Sequence, residues 1–214
     1  MNAPLDPEPL PIAEVDALRE CVGRAGVVIF PADTVYGLGC DPNSESAVRR
    51  LYELKGRPPA RPAAVMFFAL DIALDALPEL RPRERAALQA LLPGPLTLLL
   101  PNPARRFPLA GGPDLSAAET LGLRIPSLPP RLAALAALDR PLLQSSANLS
   151  GGPEARCLAD VPASVRADAD LTLDGGELPG LASTVLDLRD YERSGEWRIV
   201  RTGPIGHAEI ERVL

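Results

Sequence analysis

The strongest chemical signal in the sequence is a short basic segment stiffened by proline. Lys55, Arg57 and Arg61 fall within seven residues, and prolines stand among them at positions 58 and 59 and directly after them at position 62. Arginine grips phosphate or carboxylate as a fork and lysine acts as a point charge, so the segment predicts a preorganised anion clamp. The alternative is a solvated charge cluster that ends a helix. Composition favours a functional role for Lys55, because it is the only lysine among 22 basic residues.

The segment PADTVYGLG at residues 31–39 is a second candidate site. It follows an apolar stretch at 27–30 that predicts a buried strand, and it precedes a predicted helix. Ligands bind at the carboxyl ends of strands in open α/β sheets, so this position favours a ligand contact. The alternative is a structural turn in which Gly37 and Gly39 supply backbone angles that other residues avoid.

Residues 144–152, QSSANLSGG, also follow an apolar stretch. Their hydroxyl and backbone N–H donors predict a phosphate-binding loop that carries no formal charge. The alternative is a turn that caps the next helix. Arg124 ends another apolar strand, where it either pairs with a carboxylate for packing or faces a ligand, and the sequence leaves both open.

Composition excludes several classes of protein. The chain has 214 residues, a formal net charge of −6 and a single histidine, His207. A histidine-built metal site or a Ser-His-Asp triad therefore cannot form without His207, which can fill only one role. The negative charge argues against a protein that mainly coats nucleic acid. The Walker A, dinucleotide-binding and G-x-S-x-G patterns are missing as well.

Cysteine usage and hydropathy bear on the compartment. The three cysteines are widely spaced and form neither a Cys-x-x-Cys motif nor a disulfide framework, so we expect a reducing cytoplasm. No stretch approaches the roughly 18 apolar residues of a membrane helix. The acidic, proline-rich residues 1–11 lack the apolar core of a signal peptide and predict a flexible lead-in to one domain at 12–214.

Hydrophobic periodicity predicts an α/β fold in which helices cover a sheet. The short strands of the last third predict a mixed sheet. Residues 101–119, rich in Pro, Gly, Asn and Asp, predict a long irregular connection that could act as a lid. Predicted helices span 12–23, 44–55, 83–92, 131–138 and 208–214, and predicted strands span 27–30, 63–69, 96–100, 121–125, 142–144, 171–173, 184–188 and 198–200.

The order of the motifs closely resembles the YrdC/TsaC family of threonylcarbamoyl-AMP synthases. The resemblance covers roughly residue 25 to the C-terminus and points to the short, single-domain form of that family. It rests on seven ordered blocks: PADTVYGLG at 31–39, KGRP at 55–58 followed by Pro62, PGPLT at 93–97, LRIP at 123–126, SANLSG at 146–151, STV at 183–185 and RTG at 201–203.

The resemblance implies a YrdC-like twisted sheet, mixed parallel and antiparallel, with flanking helices around a large concave basic cavity. Members of this family condense L-threonine, bicarbonate and ATP into threonylcarbamoyl-adenylate and pyrophosphate. Mg²⁺ enters with ATP, and we expect no dedicated protein metal site. Downstream tRNA-modifying transferase proteins then pass the threonylcarbamoyl group to tRNA. These proteins are the expected partners. The resemblance also allows weak RNA binding, and we expect no membrane association.

Residue roles follow from the same resemblance, position by position. Two positions depart from the family pattern, since Met66 stands where many members have histidine and Ala32 replaces the usual threonine after Pro31. The resemblance assigns catalysis to Lys55 and Arg57, threonine contacts to Thr34, Met66, Arg124, Gln144 and Ser183, and ATP contacts to Lys55, Arg57, Arg61, Thr120, Ser146, Asn148 and Arg201.

Two other functions stay open at the level of sequence. Met66 and Ala32 allow a relative of the same fold with a different acyl substrate, such as the carbamoyl-adenylate chemistry of hydrogenase maturation. An RNA-binding or ribosome-maturation module that uses the concave basic surface is the other alternative. The acidic composition argues against the latter.

Overall fold

Nine β-strands form a single mixed sheet in the computed structural model, which describes residues 8–115 and 117–214. The order across the sheet is β7-β1-β2-β6-β3-β5-β4-β8-β9. Three neighbouring pairs, β1 with β7, β3 with β5 and β4 with β8, are parallel and the others are antiparallel, which confirms the predicted mixed sheet. The strands are β1 (Val28–Pro31), β2 (Tyr36–Cys40), β3 (Ala64–Met66), β4 (Leu96–Pro101), β5 (Thr120–Arg124), β6 (Leu142–Ser146), β7 (Leu171–Thr172), β8 (Thr184–Asp187) and β9 (Arg198–Arg201).

Helices flank this sheet on the described part of the chain. None of them is long and apolar enough to cross a membrane. The α-helices are α1 (Ile12–Gly23), α2 (Glu45–Lys55), α3 (Leu70–Ala76), α4 (Pro82–Leu91), α5 (Ala163–Asp168), α6 (Tyr191–Ser194) and α7 (His207–Val213), and 3-10 segments cover Pro108–Gly111, Pro130–Ala137 and Leu158–Asp160.

Helix α2 matters most for the site because its last residue is Lys55. The hydroxyl of Ser44 caps its N-terminus by accepting from the Ala47 N–H at 3.3 Å. Gly56 ends it in the left-handed conformation, with φ of 58°, where glycine carries no Cβ penalty. Val48 and Leu51 bury its apolar face. The helix therefore presents Lys55 from a fixed C-terminus, as the sequence predicts.

Strand β2 was not predicted, because the sequence of residues 31–39 reads as a turn. Gly37 and Gly39 are strand residues with ordinary φ values, so the explanation by unusual backbone angles is wrong. They are needed for space: β1 pairs with β2 so that Phe30 lies opposite Gly37. A Cβ on Gly39 would lie 2.9 Å from Cε1 of the Phe30 ring. The glycines thus accommodate the aromatic ring on the neighbouring strand.

Other elements differ from the predictions at their boundaries and type. The predicted strand 63–69 is shorter in the structure, where β3 covers only Ala64–Met66. The predicted helix 131–138 is a 3-10 segment, and the connection 101–119 contains a 3-10 turn at Pro108–Gly111. Leu10, within the predicted N-terminal lead-in, is buried and donates its N–H to the Arg131 carbonyl at 2.8 Å. Residues 1–7 lie outside the described chain.

Candidate active site

A cavity lies against one face of the central strands, which form its floor. Side chains alternate between the two faces of a strand, so positions two apart lie on the same face. The cavity has a volume of about 470 Å³, which is within the usual range for small-molecule sites. The strand residues on this face that line the cavity are Ala64, Thr97, Leu99, Thr120, Gly122, Arg124, Gln144, Ser146 and Val185. Ser145 on β6 and Arg201 on the edge strand β9 line it as well.

The charged side chains that line the cavity are mostly cations. Six of these side chains are cations, and two of the six have carboxylate partners: Arg124 pairs with Asp33, and Arg189 pairs with Asp187. In the described ranges, no carboxylate lies within 4.0 Å of Lys55, Arg57 or Arg201. These uncompensated charges make the cavity suited to an anionic ligand. The charged lining residues are Lys55, Arg57, Arg61, Arg124, Glu154, Arg189 and Arg201.

Lys55 is buried and surrounded by neutral oxygen acceptors. Its Nζ donates to the carbonyl of Ser146 at 2.6 Å, to the carbonyl of Asn148 at 2.8 Å and to Oδ1 of Asn148 at 2.5 Å. The Ser146 hydroxyl is a fourth, longer contact at 3.3 Å. The pKa of Lys55 is lowered to about 8, mainly because the side chain is buried and to a lesser extent because Arg57 repels its charge. The ammonium therefore carries a positive charge at neutral pH and has no anionic partner of its own.

The loop after β6 serves mainly to hold Lys55. Oδ1 of Asn148 also accepts from the Ser146 hydroxyl at 2.7 Å, and its amide nitrogen donates to the Gly152 carbonyl at 2.5 Å. The N–H groups of Ala147, Ser150 and Gly152 all donate to carbonyls within the protein. The loop therefore orients a cation through its oxygens, rather than offering a full set of free N–H donors.

The proline-rich segment wraps around Arg57. Its guanidinium donates through Nε to the Arg61 carbonyl at 3.2 Å and through Nη2 to the Pro62 carbonyl. It also donates to the Ser145 hydroxyl at 3.2 Å and lies 5.6 Å from the ring centre of Tyr52. Burial lowers the pKa of Arg57. These contacts fix the guanidinium in place without neutralising it.

Arg124 lies at another part of the cavity, where it is held by the turn before β2. Its Nη2 donates to the carboxylate of Asp33 and to the Thr34 hydroxyl, the latter at 2.9 Å. Burial lowers the pKa of Arg124 and raises that of Asp33, so desolvation outweighs the attraction within the pair. Nε of Arg124 is buried and has no hydrogen-bond partner among the described residues.

Arg201 reaches the cavity from the edge strand β9. Its guanidinium donates to the Ser183 carbonyl from Nε at 3.1 Å and from Nη2 at 2.8 Å. The Ser183 hydroxyl lies 3.1 Å from the same Nη2 and 2.8 Å from the Thr97 hydroxyl. Thr97 on β4, Ser183 directly before β8 and Arg201 on β9 therefore form one connected polar wall.

The structure brings together ten of the twelve residues that the resemblance assigned to substrates. The other two do not line the cavity. Thr34 is buried behind Arg124, and Met66 is fully buried in the core on β3. Their threonine contacts, like the roles of the other ten, stay predictions. The ten that line the cavity are Lys55, Arg57, Arg61, Thr120, Arg124, Gln144, Ser146, Asn148, Ser183 and Arg201.

Sequence reasoning gave no role to several residues that the structure brings to the site. Asp33 is part of the motif at 31–39, and its position beside Arg124 depends on the pairing of distant strands. Glu154, Thr97 and Arg189 also line the cavity; Thr97 is part of the motif at 93–97, and the other two belong to none of the motifs. Within residues 8–115 and 117–214, no group of three or more His, Cys, Asp or Glu side chains could hold a metal ion.

By its fold and its site, the protein is a mixed α/β protein with a cation-lined cavity on one face of its sheet. The family model Sua5_yciO_yrdC, described as telomere recombination, matches residues 20–203. The chain belongs to this family.

Individual relatives agree with this assignment. A protein of Xanthomonas campestris pv. campestris named threonylcarbamoyl-AMP synthase is 37% identical over 171 residues, which cover 79% of this chain and 89% of the relative. P. abyssi Sua5, solved in complex with L-threonine, superposes with a TM-score of 0.82 at 30% identity over 97% of this chain and 59% of that one. E. coli YciO superposes with a TM-score of 0.75 at 25% identity over 95% of each chain.

Proposed function

We propose that this protein is a threonylcarbamoyl-AMP synthase, which condenses L-threonine, bicarbonate and ATP into threonylcarbamoyl-adenylate and pyrophosphate. The observation that carries the proposal is a set of three cations without carboxylate partners around one cavity: buried Lys55, half-buried Arg57 and exposed Arg201. Such a cavity suits a substrate with several negative charges. The threonine bound to P. abyssi Sua5 and the name of the Xanthomonas relative support the same substrates.

The reaction concentrates negative charge, which explains the composition of the site. Threonine and bicarbonate give a carbamate, whose oxygen attacks the α-phosphorus of ATP while pyrophosphate leaves. Charge develops on the phosphoryl oxygens and on the leaving group, so fixed cations stabilise the transition state. Lys55 and Arg57 would hold the phosphates and the carbamate. No side-chain nucleophile or histidine base is needed, which fits a chain with one histidine.

The remaining contacts divide the cavity between the two larger substrates. Arg124 would bind the threonine carboxylate, since its buried Nε has no partner, and Gln144 and Ser183 would border the amino acid. Arg61, Thr120, Ser146, Asn148 and Arg201 would contact ATP. Mg²⁺ would enter with the ATP phosphates as part of that substrate. The proposal includes a nucleotidyltransferase class, a cytoplasmic location and delivery of the product to tRNA-modifying transferase proteins.

Product identification tests the proposal. Purified protein is incubated with ATP, Mg²⁺, L-threonine and isotope-labelled bicarbonate, and the mixture is analysed by mass spectrometry. We expect a threonylcarbamoyl-adenylate that carries the label in its carbamoyl carbon. A labelled carbamoyl-adenylate without threonine, or no adenylate at all, would overturn the proposal.

A further inference from the structure

Glu154 is the only acidic side chain among the described residues that line the cavity. Its Oε2 atom is buried and has no hydrogen-bond partner within the described chain. A buried carboxylate oxygen without a partner is costly, and a negative charge opposes the binding of ATP phosphates. Lys55, Arg124 and Arg201 lie near enough to interact with its charge, but no described protein group donates to Oε2, which leaves this oxygen free to contact a positively charged part of a ligand.

The position of Glu154 relates it to Arg124. The next residue, Ala155, is fully buried and accepts from the Tyr36 N–H at 3.0 Å, which fastens the loop to the start of β2. Arg124 is held at the same turn, through Asp33 and Thr34. Burial lowers the pKa of Lys55, of Arg124 and of Arg201, and the charge of Glu154 offsets part of that lowering for each. A cation and an anion are thus both anchored to residues 33–36 at the edge of one cavity.

This pairing matches the zwitterion of an α-amino acid, in which an ammonium and a carboxylate are attached to the same carbon. Of the proposed substrates, bicarbonate and ATP are anions, and threonine alone carries a covalently bound positive charge. Mg²⁺ is the other cation that enters. Hard divalent cations collect several oxygen ligands, and the described residues provide no cluster of carboxylates around Glu154. The geometry therefore favours the ammonium.

We infer that Glu154 binds the α-ammonium of the amino-acid substrate and accepts a proton from it when the carbamate forms. This inference rests on the proposed function. In the step, the nitrogen forms a bond to the bicarbonate carbon and the C–OH bond of bicarbonate breaks. One proton passes from nitrogen to the Glu154 carboxylate, and a second leaves with the hydroxide as water. The products are the carbamate anion, water and a neutral Glu154 that returns its proton to solvent.

Calorimetric binding to two ligands tests this assignment. One ligand is L-threonine, and the other is the dihydroxybutyrate of the same shape, in which a hydroxyl replaces the amine. We expect Glu154→Gln to weaken threonine binding about tenfold or more, because a charge-assisted contact is lost. Binding of the dihydroxybutyrate is expected to be unchanged or tighter. Glu53→Gln is the matched control, since it removes one exposed charge close to Lys55 outside the cavity.

The outcomes separate this inference from the proposed function. If the unsubstituted protein binds threonine and Glu154→Gln binds it equally well, the assignment of Glu154 is wrong while the proposed function stands. Absence of threonine binding by the unsubstituted protein would overturn both. If Glu154→Gln instead raises only the Mg²⁺ concentration needed for pyrophosphate release, Glu154 is a metal ligand and the inference fails. Thermal unfolding and the charge-retaining Glu154→Asp, expected to keep most of the affinity, exclude a folding defect.

Discussion

The Lys55 ammonium lies 2.5 Å from Oδ1 of Asn148, and this oxygen also accepts from the Ser146 hydroxyl at 2.7 Å. Asn148 is held in turn by the Gly152 carbonyl. A neutral amide therefore orients the lysine without cancelling its charge. An aspartate at the same place would neutralise the cation and compete with a phosphate ligand. This relationship explains how a buried lysine keeps its positive charge while its N–H groups donate to neutral oxygens of the protein.

Replacing Lys55 with arginine tests whether the site needs a compact ammonium. The four oxygens within 3.3 Å of Nζ surround a point donor, and a planar guanidinium cannot satisfy the same set. We expect Lys55→Arg to abolish adenylate formation while circular dichroism shows a folded protein. Arg49→Lys, on the exposed side of the same helix, is the matched control and should retain activity. Normal turnover by Lys55→Arg would show that the single lysine is incidental.

The pKa of Lys55 predicts a pH dependence of nucleotide binding. Burial lowers this pKa to about 8, so the ammonium loses its proton as the pH rises through that value. We expect the affinity for ATP to fall about tenfold between about pH 7.5 and pH 9.5, as one phosphate contact weakens. Calorimetric titration with ATP measures this. Lys55→Gln should bind ATP weakly at every pH, and a parallel decline in this variant would assign the effect to another group.

The same pKa shift affects folding stability, with a sign that can be worked out. Lys55 loses its proton near pH 8 in the folded protein and at a higher pH in the unfolded chain. Between these values the unfolded chain binds more protons, so the contribution of Lys55 to the free energy of unfolding rises with pH. Urea unfolding without ligand should show this rise in the unsubstituted protein relative to Lys55→Gln. An equal slope in both proteins would contradict the shift.

The buried pair of Asp33 and Arg124 predicts a joint effect on stability and threonine binding. Asp33→Asn preserves the shape but leaves the guanidinium without its counter-charge. We expect a loss of about 3 kcal/mol in the free energy of unfolding, typical of breaking a buried ion pair, and a higher KM for threonine. Asp16→Asn removes a surface partner of Arg19 and should leave both quantities nearly unchanged. Urea unfolding and steady-state kinetics measure them.

The close packing around Gly39 in β2 leads to a prediction about stability. A Cβ on Gly39 would lie 2.9 Å from the Phe30 ring and 3.1 Å from Cδ1 of Leu142, whereas the nearest atom to a Cβ on Gly122 is 3.5 Å away. We expect Gly39→Ala to lower the free energy of unfolding by about 1–3 kcal/mol and Gly122→Ala to be tolerated. Equal effects in urea unfolding would contradict the account of β2.

The sequence was sufficient to predict elements with clear apolar periodicity and clear end signals. Helix α2 is an example, since Ser44 and Gly56 mark its ends. Strand β2 could not be predicted because its glycines are selected by the Phe30 ring on another strand. The 3-10 segment at Pro130–Ala137 has the composition of an α-helix, so composition alone does not distinguish them.

Candidate site residues could be predicted where the residue type or a short motif indicates the function by itself. Lys55 and Arg57 stand out through charge, and Ser146 and Asn148 through their motif. Asp33 and Glu154 were missed because their roles depend on residues that are distant in the sequence. Asp33 pairs with Arg124, and Glu154 lines a cavity that several strands form together. Arg124 shows the same limit: the sequence offered a carboxylate partner or a ligand as alternatives, and the structure shows that Arg124 pairs with Asp33 and also lines the cavity.

Pyrophosphate release is the most direct measurement of the central claim. The unsubstituted protein is supplied with ATP, Mg²⁺ and bicarbonate, with and without L-threonine, and with allothreonine as a stereochemical control. The account predicts release that requires both bicarbonate and L-threonine. Release that is independent of threonine would assign the cavity to a different acyl substrate, and absence of release under all conditions would contradict the enzymatic account.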